Sequence, residues 1–276
     1  MKEITEQKAE PGIISSTSAN PRIGLLTDVG RKRQIDEDSI LALESVSGFE
    51  SKINQKFLFV LADGMGGHAK GEVASKMAVT TMVEKLCPVM LSQTNYASEI
   101  SNAIQEANLK ILQYTLDHTE AEGMGTTVVC AIVDGSTHLA NVGDSRAYVI
   151  SSDEIRRVTK DHSYVQELVD RGEMSQEEAI SHPKKNVITR AVGAYAEVKV
   201  DTMKLTLDDD ESLLLCCDGL IIHVQDEEIK EIVVNASHPQ EACKKLVDLA
   251  NERGGKDNIS VILLSPPFNI SDKNNS

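Results

Sequence analysis

The sequence has no long apolar run and no surplus of basic residues. Its apolar runs are short, such as residues 57–62, whereas a membrane-spanning helix needs about 20 residues, so no membrane span is expected. The 28 Lys and Arg residues are outnumbered by 43 Asp and Glu residues, which gives a net charge of −15. Because phosphate backbones are bound by patches of Lys and Arg, a nucleic-acid binder is not expected. The acidic balance suits a cation ligand, or a phosphorylated partner that is bound through a metal. Taken alone, it is more typical of a protein that is kept soluble by its charge.

The cysteines lack the spacing of a disulfide framework or a zinc site. Their number is odd, no Cys-x-x-Cys pair occurs, and most lie in apolar stretches, which predicts reduced, buried thiols. The first residues, Met-Lys-Glu-Ile-Thr-Glu-Gln-Lys, contain no apolar segment of a signal peptide, so a cytoplasmic protein is expected. The cysteines are Cys87, Cys130, Cys216, Cys217 and Cys243.

The composition predicts one folded domain between two tails. Hydrophobic residues make up 41% of the sequence and charged residues 26%, which is ordinary for a globular protein. Residues 1–20 and 266–276 are polar and are predicted to be disordered tails. The remaining residues, 21–265, show no internal repeat and no long linker, so we expect a single domain there. Residues 159–195 interrupt the predicted strands with two short helical segments, and we interpret this insert as a surface flap.

Secondary structure is predicted from apolar runs and their spacing. Runs of apolar and β-branched residues that end in turn residues predict strands at 40–46, 57–62, 126–133, 138–142, 147–150, 198–205, 212–217 and 259–264. Helical spacing predicts helices at 71–86, 97–117, 164–171, 176–181 and 239–253. Strands and helices do not alternate regularly, which disfavours a doubly wound parallel sheet. The order favours an α+β fold, with antiparallel sheets in a sandwich and helices packed outside.

Acidic residues stand at the ends of the predicted strands. Asp63 and Asp218 directly follow apolar strands, and Asp38 and Asp257 precede two others. Each pattern alone is typical of a turn or a helix cap. If the strand ends converge, however, the carboxylates would repel one another and raise each other's pKa. Divalent cations relieve that repulsion, and hard oxygen ligands select Mg²⁺ or Mn²⁺ over zinc.

A glycine-rich loop follows the second of these strands. Residues 63–68 read Asp-Gly-Met-Gly-Gly-His, and glycines allow a backbone to approach a ligand closely. The loop is not a nucleotide-binding P-loop, because Glu72 and Val73 stand where that motif needs Lys and then Ser or Thr. His68 is either a catalytic acid or an exposed loop histidine.

Two further residues have both a functional and a structural interpretation. Asp144 lies between two short strands, where it either belongs to a hairpin turn with an internal contact to Arg146 or serves a site. Arg33 lies close to the acids and is suited to binding phosphate through two parallel hydrogen bonds. The alternative for Arg33 is a surface cation in a run of three basic residues.

Taken together, these segments resemble the metal-dependent protein Ser/Thr phosphatases, the PPM or type-2C family, in their bacterial form. The resemblance covers about residues 22–264, and its specificity comes from the order and separation of the motifs. The implied fold is a four-layer αββα sandwich, with a variable flap beside the active site. The motifs are Thr27-Asp28-Val29-Gly30, Arg33, Asp36-Glu37-Asp38-Ser39, Ala62-Asp63-Gly64-Met65-Gly66-Gly67-His68, Gly125-Thr126-Thr127, Gly143-Asp144-Ser145-Arg146, Cys217-Asp218-Gly219-Leu220 and Asp257-Asn258-Ile259-Ser260.

The resemblance implies a site with two Mg²⁺ or Mn²⁺ ions and a third, weaker one. It assigns catalytic roles to Asp63, which would bridge the two ions, and to Arg33, which would bind the substrate phosphate. The implied metal ligands are Asp63 with Asp218 and Asp257 for one ion, Asp63 with Glu37, Asp38 and the backbone carbonyl of Gly64 for the second, and Asp144 with Asp218 for the third.

The implied activity is hydrolysis of phosphoserine and phosphothreonine by direct attack of a hydroxide that bridges the two ions. No phosphoenzyme is needed, so no nucleophilic cysteine is required. The implied partners are phosphorylated proteins, with a Ser/Thr kinase of the same cell as a further hypothesis. We expect a monomer that binds neither nucleic acid nor membranes.

Two positions depart from the family pattern, and other functions remain open. Met65 stands where eukaryotic relatives have a histidine proposed as general acid, so leaving-group protonation falls to water or to His68. Asp36 stands where relatives usually have Asn. One alternative function is an inactive regulatory binding module, which the full set of acids disfavours. The others are a phosphohydrolase acting on a small metabolite and a passive cation binder.

Overall fold

The structure is a computed structural model that describes residues 22–49, 52–66, 70–92 and 95–266. The tails predicted at 1–20 and 266–276 lie outside this part, apart from residue 266, and so does His68. Among the described residues, no helix is long and apolar enough to cross a membrane.

The strands form two antiparallel sheets. The strands are β1 (Ile23–Asp28), β2 (Asp38–Phe49), β3 (Lys52–Met65), β4 (Gly125–Thr126), β5 (Val128–Asp134), β6 (Ser136–Val142), β7 (Arg146–Ile150), β8 (Ile155–Arg157), β9 (Asp201–Leu205), β10 (Ser212–Cys216) and β11 (Ile259–Leu264). Sheet I has the strand order β1-β11-β10-β7-β8, and sheet II has the order β2-β3-β5-β6-β9, with β4 paired to β3.

The helices are α1 (Gly71–Val89), α2 (Tyr96–Asp117), α3 (Tyr164–Asp170), α4 (Gln176–Ser181), α5 (Asp218–Ile221), α6 (Asp226–Asn235) and α7 (Pro239–Glu252). Local signals in the sequence explain where the long helices begin. The side chain of Asn95 accepts a hydrogen bond from the backbone N–H of Ser98 and caps α2. Helix α7 begins with Pro239, whose fixed φ suits a first turn.

Three apolar clusters establish the order of the layers. Between the sheets, Phe59 and Leu61 of β3 pack with Val149 of β7, Leu215 of β10 and Ile262 of β11. The other face of sheet II packs against α1 and α2. The other face of sheet I packs against α6 and α7. The predicted α+β fold, with two antiparallel sheets flanked by helices, is confirmed.

Some elements differ from the sequence-based expectation. Strand β1 was not predicted; it lies at the edge of sheet I, and its Leu25 is 38% exposed, so its apolar pattern is weak. Helix α6 was also missed, because it is only ten residues long and buries only Ile229 and Val233. The strand predicted at 126–133 is interrupted at Thr127, whose backbone N–H donates to the carbonyl of Asp63. The interruption separates β4 from β5.

Candidate metal centre

Strand pairing places Asp38 and Asp63 opposite each other. They are direct partners in the β2–β3 ladder, and side chains of directly opposite residues lie on the same face of a sheet. Asp38 is only 8% exposed. Among the described residues, neither carboxylate oxygen of Asp38 has a hydrogen-bond partner. A buried carboxylate without a partner is costly, so this pair favours a ligand that supplies positive charge.

Sheet I brings further acids to the same end of the sandwich. Asp218 begins α5 directly after β10, and Asp257 lies just before β11, which is paired to β10. The Cys217 thiol links these two segments, since its sulfur accepts from the N–H of Ser260 at 3.0 Å and donates to the carbonyl of Asn258 at 3.4 Å. The two strand ends are therefore held together at the edge of the core.

Residues at the end of sheet I lie close to the Asp38–Asp63 pair, and Asp218 and Asp257 are near enough to raise the pKa of Asp63. One ligand atom each from Asp38, Asp63 and Cys217 lie within 4.8 Å of one another. The predicted ligands Glu37, Asp38, Asp63, Asp144, Asp218 and Asp257 are called the acidic cluster below.

The acidic cluster shifts the pKa values of its own members. Burial raises the pKa of Asp63 well above its usual value, and Asp38 and Asp218 raise it further. Burial also raises the pKa of Asp218 well above its usual value, with Asp144 and Asp257 as the next causes. Burial raises the pKa of Asp38 to about 7. Without a cation, Asp38, Asp63 and Asp218 hold protons more tightly than free carboxyls do, so metal binding there would release protons.

Close backbone contacts place Glu37 and Gly64 together. The N–H of Gly64 donates to the carbonyl of Glu37 at 3.1 Å. A Cβ on Gly64 would lie 2.3 Å from the carbonyl oxygen of Gly71 and 2.4 Å from that of Glu37, so only glycine fits. A Cβ on Gly71 would meet Oε1 of Glu37 at 2.8 Å and the carbonyl oxygen of Gly64 at 3.0 Å. The two predicted ligand oxygens are therefore neighbours.

Arg33 lies at the rim of the acidic cluster. Its Nη2 donates to Oδ2 of Asp257 at 2.9 Å, and its Nη1 donates to Oε2 of Glu37 at 3.4 Å. The hydrogen bond to Asp257 raises the pKa of Arg33, which stays charged. The side chain is 42% exposed. The guanidinium is thus oriented by acids on one side and is accessible from solvent.

Asp144 lies in the turn between β6 and β7. It is 7% exposed, and its Oδ1 has no hydrogen-bond partner among the described residues. Burial raises its pKa to about 6. Arg146 binds Asp161 instead, with its Nη2 2.7 Å from Oδ2 of that residue, so the hairpin interpretation with an internal Asp–Arg contact is wrong. Asp144 and Asp218 both line a cavity of about 740 Å³ bordered by α3 and α4.

Asn258 organises the site, and this role was not predicted. Its side-chain NH₂ donates to the carbonyls of Val29 and Ile35, both at 3.0 Å, and its Oδ1 accepts from the N–H of Glu37 at 2.9 Å. It therefore ties β11 to the loop that carries Arg33 and Glu37. Its sequence signals are its position directly after a predicted ligand and its place in the last of the family motifs.

Asp36 stabilises the same loop. Its Oδ2 accepts from the hydroxyl of Thr27 at 2.6 Å, and its Oδ1 accepts from the N–H of Asp38 at 3.1 Å. Both oxygens are therefore engaged in the turn that leads into β2.

The donor set fits a hard divalent cation. The acidic cluster offers carboxylate oxygens from both sheets, and the Asp38 oxygens and Oδ1 of Asp144 lack protein partners among the described residues. Buried polar groups are normally hydrogen-bonded, so each such oxygen calls for a ligand. Oxygen donors of this kind select Mg²⁺ or Mn²⁺.

Two residues were considered in the sequence as donors of a proton to the leaving group. Met65 offers no proton, and His68 lies outside the described residues.

Comparison with known proteins identifies the family. The model of the family "Protein phosphatase 2C" matches residues 42–261. The chain belongs to the protein phosphatase 2C family, as its motifs predicted. It is 40% identical over 241 residues to the serine/threonine phosphatase stp of Listeria monocytogenes serotype 4b (strain F2365), covering 86% of this chain and 93% of that one.

Solved structures agree with this assignment. The chain is similar to the serine/threonine phosphatase of S. agalactiae, with 33% identity and a TM-score of 0.78, over 88% of this chain and 98% of that one. It is also similar to the catalytic domain of the phosphatase PstP in complex with 2 manganese ions, with 31% identity and a TM-score of 0.74. This match covers 87% of the present chain and 96% of PstP's catalytic domain.

Proposed function

We propose that this chain is a metal-dependent protein phosphatase that hydrolyses phosphoserine and phosphothreonine. The observation that carries the proposal is the Asp38–Asp63 pair: the Asp38 oxygens have no hydrogen-bond partner among the described residues, and Asp257, next to sheet I, is near enough to raise the pKa of Asp38. Similar proteins named serine/threonine phosphatases support the substrate class. An inactive binding module is disfavoured, because the chain retains every acid of the family pattern.

The acidic cluster is proposed to hold Mn²⁺ or Mg²⁺. Asp63 would be shared by two ions, Asp218 and Asp257 would complete the ligands of one, and Glu37, Asp38 and the carbonyl of Gly64 would hold the other. When bound, such ions lower the pKa of a water molecule and neutralise phosphoryl oxygens. Asp144 with Asp218 is proposed to hold a third, weaker ion.

Arg33 is proposed to bind the substrate phosphate. Its hydrogen bonds to Asp257 and Glu37 orient the guanidinium toward the acidic cluster. A planar guanidinium donates two parallel hydrogen bonds to phosphoryl oxygens, which fixes the orientation of the ester and stabilises charge that develops on it. In a protein with a net charge of −15, a cation at this rim also offsets the repulsion of a phosphorylated substrate.

The cellular setting is proposed from weaker observations. Cys130, Cys216, Cys217 and Cys243 are buried and free, which fits a reducing cytoplasm. The substrates would be phosphorylated proteins, among them a Ser/Thr kinase of the same cell. The protein would act as a monomer and would not bind nucleic acid.

Phosphate release from a phosphothreonine peptide tests the proposal. The assay compares Mn²⁺ with excess EDTA for the wild type and Asp63→Asn. Asp248→Asn is the matched control, because Asp248 is an exposed residue of α7 that pairs with Lys244. We expect turnover that requires metal, collapses in Asp63→Asn and persists in Asp248→Asn. Turnover that survives EDTA would contradict the proposed site. Preference for small phosphate esters over the peptide would favour the metabolite phosphohydrolase.

A further inference from the structure

The backbone of Gly143, the residue before Asp144, is held on both sides by His162. The N–H of Gly143 donates to Nδ1 of His162 at 3.0 Å. The carbonyl of Gly143 accepts from the N–H of His162 at 2.9 Å and from the side-chain amide of Asn141 at 3.3 Å. Gly143 has a φ of +110°, and a Cβ there would lie 2.5 Å from Cγ2 of Thr127. The turn before Asp144 therefore has little freedom.

The other side of the imidazole ring is held by two charged residues. Nε2 of His162 lies 3.1 Å from Oδ2 of Asp201 and 3.1 Å from Nη1 of Arg190, and Nη1 of Arg190 donates to Oδ1 of Asp201 at 2.8 Å. Nδ1 accepts from Gly143, so the neutral ring carries its proton on Nε2 and donates it to Asp201. The carboxylate thereby selects the tautomer that can hold Gly143. His162 is 4% exposed, which protects this arrangement from water.

Three distant parts of the chain converge at this ring. His162 and Arg190 belong to opposite ends of the insert 159–195, and the carbonyl of His162 accepts from the N–H of Thr189 at 2.8 Å. Asp201 is the first residue of β9 and pairs with Asn141 of β6. The insert is thus anchored by both of its ends to the turn that carries Asp144.

We propose that His162, oriented by Asp201 and Arg190, is a positioning residue for Asp144 and thereby sets the affinity of the third cation site. The inference rests on the proposed role of Asp144 as a ligand of that ion. Oδ1 of Asp144 has no partner among the described residues, so the backbone on which this residue sits decides where that oxygen points. Loss of a group that orients a metal ligand typically weakens metal affinity by about 10- to 100-fold.

Replacing His162 by Asn or by Gln distinguishes the roles of its two ring nitrogens. In His162→Asn the amide oxygen takes the place of Nδ1 and still accepts from Gly143. In His162→Gln the amide reaches the place of Nε2, and the acceptor for Gly143 is lost. Mn²⁺ binding is measured by electron paramagnetic resonance of the free ion, which counts ions per chain without any need for turnover. Asp144→Asn provides the reference for loss of the third site.

We expect His162→Gln to weaken the third Mn²⁺ by about 10- to 100-fold while the two tighter ions bind as in the wild type. His162→Asn should bind all three ions nearly as the wild type does. An unchanged third-site affinity in folded His162→Gln would overturn the inference, and so would an equal loss in both variants. A wild type that binds Mn²⁺ only weakly or not at all would instead contradict the proposed function.

If His162→Gln fails to fold, Asp201→Asn tests the tautomer instead, because Asn and Asp have nearly the same size. Arg190 needs an acceptor at this residue, so the amide oxygen would face Arg190 and the NH₂ would face Nε2 of His162. The ring proton would then move to Nδ1 and oppose the N–H of Gly143. We expect the imidazole ¹⁵N chemical shifts to report this change together with a weaker third site. A changed tautomer with an unchanged third site would overturn the inference.

Discussion

Asp38 and Asp63 face each other across the β2–β3 ladder at the end of both strands, and no protein group bonds the Asp38 carboxylate among the described residues. The pair is built into the sheet, so it cannot separate without breaking strand pairing. In the metal-free protein the repulsion is therefore relieved only by bound protons, which cations would replace.

Asp38→Asn should have opposite effects on stability with and without metal. Near neutral pH in EDTA, we expect the variant to be more stable than the wild type, because it removes a buried charge beside Asp63. With saturating Mn²⁺ the order should reverse, because the variant loses a ligand and with it the stabilisation that binding supplies. Thermal unfolding under both conditions measures the two differences. A variant less stable in both conditions would show that Asp38 has a structural role alone.

The metal-free wild type should lose stability as pH rises from about 4 to about 7. Burial raises the pKa of Asp38 from 3.8 to about 7, so in this range the folded state binds more protons than the unfolded chain. Stability then falls with pH by at most about 1.4 kcal/mol per pH unit for each such carboxyl. Urea unfolding in EDTA across this range measures the slope, and Asp38→Asn should flatten it. A slope that is no flatter in Asp38→Asn than in the wild type would contradict the raised pKa of Asp38.

Arg33→Lys should lower kcat/KM for the phosphopeptide by about tenfold or more, because lysine is a point charge that cannot make two parallel hydrogen bonds. Mn²⁺ affinity should change little, since Arg33 is not a ligand. Lys32→Arg is the control, because Lys32 is exposed and lies next to it. Steady-state kinetics with a phosphothreonine peptide gives the comparison. Equal activity of Arg33→Lys and the wild type would exclude the proposed phosphate contact.

Gly64→Ala should destabilise the protein by about 1–3 kcal/mol and impair the second cation site, since its Cβ would overlap two backbone carbonyls. Gly135→Asn is the control: nothing lies within 4 Å of a Cβ there, and Asn tolerates the φ of +64°. Chemical denaturation and Mn²⁺ titration measure both effects. Wild-type stability and Mn²⁺ binding in Gly64→Ala would contradict the close contact among Gly64, Glu37 and Gly71.

The acidic cluster could be predicted because each acid adjoins an apolar strand, so its position at the core edge follows from the local sequence. That the acids come together depends on how the strands pair in the two sheets, and this was predicted only through the family resemblance. The contact between Gly143 and His162 was not predictable, because it depends on how the insert 159–195 folds back. The role of Asn258 was missed for a related reason, since its partners lie in a loop more than two hundred residues away in sequence.

The proposed site joins acids from both sheets, and Asp63 is the ligand that two ions would share. Equilibrium Mn²⁺ binding to the wild type, Asp63→Asn and the control Asp248→Asn tests whether it is shared. We predict two tightly bound ions in the wild type and in Asp248→Asn, and loss of both together in folded Asp63→Asn. Retention of one or both tight ions in Asp63→Asn would contradict the shared site.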